Sequence, residues 1–224
     1  MSTSTAKTRF EIAIPLYPKV DLLDVAAPRE LFSWIKPNST ELDVVIAFVA
    51  SSPDPIVTRD GTRILPDTTF ADCRRTGRQF QLLWVPGGEV PELQSTMRDP
   101  DYLAFLREQS AAARWVTSVC EGALLLASAG LLDGYTATTH WAFLPCLRQF
   151  PAIHVAPGHP RFIVDRNRVT GGGISSGLDE ALELIARIAG YDVAVQIQAV
   201  TQYFPNPPIR GSIPETQGCP LDPP

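Results

Sequence analysis

Histidine is scarce in this 224-residue chain: only His140, His154 and His159 occur, at spacings that suit no metal site. Four cysteines, Cys73, Cys120, Cys146 and Cys219, stand far apart with no C-x-x-C pair, so neither a zinc centre nor a disulfide framework is suggested, and reduced thiols are expected. No stretch is apolar for the roughly 20 residues that a membrane helix needs, and "MSTSTAKTRFE" lacks the apolar core of a secretory signal. No membrane partner is expected, and the setting read from this is soluble and cytoplasmic. The 19 basic residues are scattered among 24 acidic ones, leaving a formal charge of −5 and no basic face for nucleic acid. A small molecule or a protein is the expected partner.

The chain is rich in apolar residues, 45% by count, enough for the core of one large domain. Buried strands are expected at "FEIAIPLY" from Phe10 and "LDVVIAFVA" from Leu42, with a helix between them that starts or kinks at Pro28. Asp60-Gly61 within "IVTRDGTRIL" predicts a small hairpin. "FQLLWVPGG" and "WVTSV" read as strands, separated by a helix that Asp99 and Pro100 open. Glu121 to Ala129 reads as a buried helix ended by Gly130. Strand fragments near Thr136–Thr139, Ile153–Val155 and Phe162–Val164 are expected to continue the sheet. "VTGGGISSGLDEALEL" then passes from strand to glycines to a long helix capped by Ser175 or Ser176, and a last helix spans Asp192–Tyr203.

Alternation of strand and helix in this order predicts an α/β fold, an open, mostly parallel sheet with helices on both faces. A single domain over residues 1–203 is expected. Residues 204–224 hold seven prolines and should form a tail on the surface or on a partner subunit.

Ligands of such folds gather at the carboxyl ends of strands. Three of the expected strand ends carry unusual residues: "VPGG" at Val85–Gly88, "SVCEG" at Ser118–Gly122 and "TGGG" at Thr170–Gly173. Ser118-Val119-Cys120-Glu121-Gly122 has small residues flanking a nucleophile at a strand-to-helix turn, where a sharp bend exposes the side chain. A helix N-terminus there favours thiolate, and the amides of Gly87 and Gly88 are candidate donors to a developing negative charge.

"VPGG", "VTSVCEGALLLASAGLLDGYTATTHWA" and "VTGGGISSGLDEALEL", with "LDVAAP" near the N-terminus, resemble the ThiJ/PfpI superfamily, and within it the isonitrile hydratases. The resemblance runs from about Phe10 to Tyr203. It implies a flavodoxin-like domain of the class I glutamine amidotransferase type, a homodimer, and hydration of an isonitrile to an N-substituted formamide with no metal or organic cofactor. By position it makes Cys120 the nucleophile and Asp24 its acidic partner, with His140 and Trp141 at the mouth of the site. The hydratases carry threonine after the nucleophile, where this chain has Glu121.

That glutamate either holds a proton and hydrogen-bonds the sulfur, or turns toward solvent or an arginine such as Arg29 or Arg161; it also suits the first turn of a helix. The absence of histidine at position 121 argues against a Cys-His peptidase. Two alternatives stand beside the hydratase. One is glyoxalase or deglycase chemistry on α-oxoaldehydes; the other is a non-enzymatic cysteine sensor or chaperone. Some relatives fuse this domain to a helix-turn-helix unit, but here only the proline-rich segment follows, which argues against a DNA-binding regulator.

Overall fold

The computed structural model describes residues 7–216 and 218–221. The chain begins β1 (Thr8–Pro15), α1 (Leu22–Ser33), α2 (Ile35–Asn38), β2 (Leu42–Ala50), β3 (Ile56–Val57), β4 (Arg63–Ile64), β5 (Thr68–Thr69), α3 (Phe70–Thr76), β6 (Leu82–Val85) and α4 (Val90–Thr96). It continues α5 (Pro100–Ser110), β7 (Trp115–Ser118), α6 (Gly122–Ser128), β8 (Thr136–Ala137), α7 (Leu144–Leu147), β9 (His154–Val155), β10 (Phe162–Asp165), β11 (Arg168–Gly171), α8 (Ser176–Ala189) and α9 (Tyr191–Val200).

Seven strands form one sheet in the order β10-β11-β7-β6-β1-β2-β5, parallel except where β10 runs against β11. This is the expected mostly parallel, flavodoxin-like architecture. Strands β6 and β7 are buried at every position, as a sheet covered on both faces requires. Full burial of Leu82, Leu83 and Val85 contributes about 1.5–3 kcal/mol each. Helices α1, α8 and α9 pack together, α8 also lying against β11, while α5 packs on α3, α6 and β6. Asp99 caps α5, its carboxylate accepting the amides of Asp101 and Tyr102, a contact worth about 1 kcal/mol. Strands β3 and β4 form the hairpin expected around Asp60-Gly61.

Several expectations are corrected. Strands β8 and β9 pair only with each other and do not continue the main sheet; of the three fragments only β10 does. Neither Ser175 nor Ser176 caps α8 through its side chain, because Ser175 Oγ instead accepts from Arg161 Nη1. Helix α9 ends at Val200, short of Tyr203. Pro28 lies inside α1 and does not start it. Helices α3 and α4 were not anticipated.

The thiols are not all reduced. Cys146, at the end of the short α7, and Cys219 are joined by a disulfide across 73 residues of sequence. It fastens the tail to its own domain, where Thr216 Oγ1 also donates to the Trp141 carbonyl at 3.0 Å. Leu221 lines a small cavity of about 170 Å³ with Met97, Phe150 and Cys146. Closing so long a loop restricts the unfolded chain by about 2–4 kcal/mol. Calorimetry with and without dithiothreitol should therefore show Tm falling by several degrees on reduction.

Candidate active site

Strand β7 ends at Ser118, and two residues later the backbone of Cys120 takes the left-handed conformation, φ 56°. The turn into α6 is tight enough that a Cβ on Gly122 would collide with the Val85 carbonyl oxygen. Small flanking residues are thus a steric requirement of this bend. The Cys120 backbone is held from both sides: its N–H donates to Gly172 O at 2.7 Å, and its carbonyl accepts from Thr139 Oγ1 at 2.7 Å and His140 N at 3.3 Å.

Asp24 reaches the site from the first turn of α1. Pro28, four residues on, has no N–H to offer the Asp24 carbonyl, and that carbonyl accepts from Trp84 Nε1 at 2.8 Å instead. The proline inside the helix thereby couples the acid to β6. Asp24 Oδ2 accepts the Gly87 amide at 2.9 Å, whereas Oδ1 is buried with no partner. The segment Lys19–Asp21 pairs with Gly87–Glu89 through Asp21 N to Gly87 O, 3.0 Å, and Glu89 N to Lys19 O, 3.0 Å. Carboxyl groups and strand-end glycines are brought together in this way.

Glu121 is buried and faces the thiol, so it turns neither to solvent nor to Arg29 or Arg161. Those arginines pair elsewhere, with Asp67 and Asp179. The Glu121 carboxyl lies against Gly87, in space a Cβ there would fill. It meets the Cys120 thiol and the Gly88 amide, with Oε2 left without an ordinary hydrogen bond. His140 Nδ1 accepts from Ala142 N at 3.3 Å and sits 3.8 Å from Glu121 Oε1. Burial pushes the His140 pKa down, so the ring is neutral and its Nδ1 brings Glu121 no charge.

The expected thiolate at a helix N-terminus is corrected by the electrostatics. Burial, reinforced by Asp24 and Glu121, pushes the Cys120 thiol well above its ordinary value. A helix end supplies about 0.3–1 kcal/mol, whereas desolvation of a buried charge is worth several pKa units. Rapid alkylation at neutral pH is therefore not expected of this thiol, which is 1% exposed. Cys73, the other free cysteine, is also buried and also pushed up by burial. Burial likewise raises Asp24 well above its ordinary value and Glu121 to about 7. Burial thus favours the neutral forms of Asp24 and Cys120, beside a Glu121 that titrates near neutrality.

The amides of Gly87 and Gly88 also differ from expectation: the first is engaged by Asp24 and the second by Glu121, so they hold carboxyl groups in the resting site. Asp21, Arg59 and Glu180 escaped the sequence reading. Arg59 Nε pairs with Asp21 Oδ1 at 2.5 Å and is seated by its own N–H on Val20 O. The turn after Arg59 was legible, but the folding of that hairpin onto the start of α1 was not. Asp21, Cys120 and Glu121 present ligand atoms within 4.8 Å of one another and are the one such cluster among the described residues. Arg59 occupies Asp21 and the sulfur is held as a thiol, which opposes metal binding. Glu180, fully buried on α8 with neither carboxyl oxygen partnered, lies against Gly171.

A cleft of about 470 Å³ lies next to the turn that carries Cys120, lined by Leu23, Thr139, His140, Trp141, Gly172 and Ile174 among others, though not by the side chains of Cys120, Asp24 or Glu121. Three of these residues bond the Cys120 backbone, and Leu23 precedes Asp24.

The model of the DJ-1/PfpI family matches residues 11–187. The chain belongs to that family. It is 37% identical to an isonitrile hydratase of Pseudomonas putida over 206 residues, 92% of this chain and 84% of the hydratase. A ThiJ/PfpI family protein from Pseudomonas syringae superposes with TM-score 0.81 at 35% identity, covering 91% of this chain and 78% of that one. The transcriptional regulator GbdR of Pseudomonas aeruginosa is 36% identical over 64% of this chain, which spans only 37% of the regulator. The DJ-1/PfpI fold extends to DJ-1beta of Drosophila melanogaster, with TM-score 0.73 at 16% identity.

Proposed function

We propose that this DJ-1/PfpI protein is a hydro-lyase that adds water to an isonitrile, R–N≡C, to give the formamide R–NH–CHO. The observation that carries the reading is the buried Cys120 thiol in contact with the buried Glu121 carboxyl and close enough to the buried Asp24 carboxyl to feel its charge. An isonitrile carbon accepts a nucleophile only as it accepts a proton, so it needs an acid beside the attacking sulfur.

In the first step Cys120 Sγ bonds to the isonitrile carbon, its proton passes to Glu121, and Asp24 protonates that carbon. The product is a thioimidate, R–N=CH–S–Cys. Water then adds to the same carbon, giving a proton to Asp24 while Glu121 protonates nitrogen. The tetrahedral adduct loses its hydroxyl proton as the C–S bond breaks, and the departing sulfur takes up that proton. Formamide leaves, and all three groups regain their starting protons.

His140 and Trp141 border the cleft and shape the space for R. Residues 1–203 serve as the catalytic unit and 204–224 as its tail, in a cytoplasmic homodimer. A cytoplasmic thiol pool would act on the Cys146–Cys219 bridge. Incubation with a panel of isonitriles and α-oxoaldehydes, with products read by mass spectrometry, is expected to yield formamides. Lactate from methylglyoxal without any formamide would replace this reading with glyoxalase chemistry, and no product from either class would favour a sensor.

A further inference from the structure

The tail runs beside the cleft. Its described residues after Val200 have no regular secondary structure, and Phe204 to Glu215 are exposed. Ile213 nevertheless lines the cleft together with Leu23, Trp141 and Ile174. It is 50% exposed, so half of an apolar side chain is open at the rim. Its hold lies just downstream, in the Thr216 hydrogen bond to Trp141 O and in the disulfide from Cys219 to Cys146. Without the bridge, the contacts that hold this segment among the described residues include the Thr216 hydrogen bond and the packing of Cys219 and Leu221 against the core, none of them covalent.

We propose that the tail is a redox-latched wall of the substrate cleft, in which Ile213 contacts the substituent R and the Cys146–Cys219 bond keeps it there. This rests on the cleft receiving the substrate of the proposed hydration. Bulky apolar substituents bury more surface against the wall than a methyl group does, and so gain more from it. Reduction by a dithiol breaks the S–S bond: the dithiol becomes a disulfide, and Cys146 and Cys219 each take up one proton as thiols. The wall is then released, and the preference for bulky substrates falls while the catalytic groups stay in place.

The test compares kcat/KM for tert-butyl and methyl isonitrile in four forms of the full chain: oxidised wild type, dithiol-reduced wild type, Ile213→Ala, and Cys146→Ser/Cys219→Ser. The last three are expected to lower the tert-butyl value about fivefold to tenfold, with the methyl value within about twofold of wild type. Adding Ile213→Ala to the double serine variant should change nothing further, since the latch acts through the wall. Equal effects on both substrates, or unchanged discrimination after reduction, would overturn the proposal.

If the wild type hydrates neither isonitrile, it is the hydration reading that fails. The tail is then judged by peptide-mapped alkylation of Cys120 at pH 9, comparing iodoacetamide with a bulkier N-aryl iodoacetamide. The same variants must shift the ratio of the two rates; an unmoved ratio rejects the wall.

Discussion

Cys120→Ser is expected to lose at least about 10⁴-fold in isonitrile turnover while its Tm stays within a few degrees of wild type. A hydroxyl has the size for the site, but it is a far weaker nucleophile toward the isonitrile carbon, and mutation of a nucleophile in a concerted set commonly costs that much. The fold should tolerate the change because Cys120 is tied to its neighbours by backbone groups, Gly172 O on one side and Thr139 and His140 on the other. Turnover by mass spectrometry and melting by calorimetry check both halves. Residual activity above a tenth of wild type would remove covalent catalysis.

Glu121→Gln separates charge from shape. Glu121 with a pKa of about 7 acts as base only when ionised, so turnover should rise with pH through 7 and fall again where Asp24 loses its proton. Glutamine should abolish the limb near 7 and lower turnover by about 10²–10⁴-fold. It should also lower the Cys120 pKa, because Glu121 is among the groups that push the thiol up. Alkylation of Cys120 therefore becomes easier as catalysis becomes worse. A stability effect goes with it. A carboxyl raised by folding from 4.5 to about 7 contributes stability below pH 4.5 and loses it as pH climbs to 7, roughly 3 kcal/mol in all. Calorimetry from pH 4.5 to 8 should show a flatter Tm profile for Glu121→Gln.

Much of this arrangement was written in local pattern. The long apolar runs of β1 and β2, the Asp99 cap and the small residues around Cys120 each carry a signal within a few positions. The fragments at β8 and β9 were legible too, but not the sheet they join, since two residues are too few to show which face is buried. Cys146 and Cys219 meet only because the tail returns across the domain, and spacing alone does not specify a pairing. The direction of Glu121 depends on space left by Gly87, a residue 34 positions away in sequence and adjacent only once β6 lies beside β7. The raised thiol pKa has the same origin: burial depth is a property of the assembled layers.

The left-handed backbone at Cys120 ties chemistry to the order of assembly. A non-glycine residue in that region costs on the order of 1–3 kcal/mol, and here it is countered by hydrogen bonds from segments 19 and more residues downstream in the chain. Strands β7 and β6 can pair before those segments arrive, but the bend has no restraint from Gly172 until β11 docks on β7. The bend at the nucleophile and the burial of its thiol therefore depend on the same long-range contacts, so that what shapes the reactive turn also walls it off from solvent.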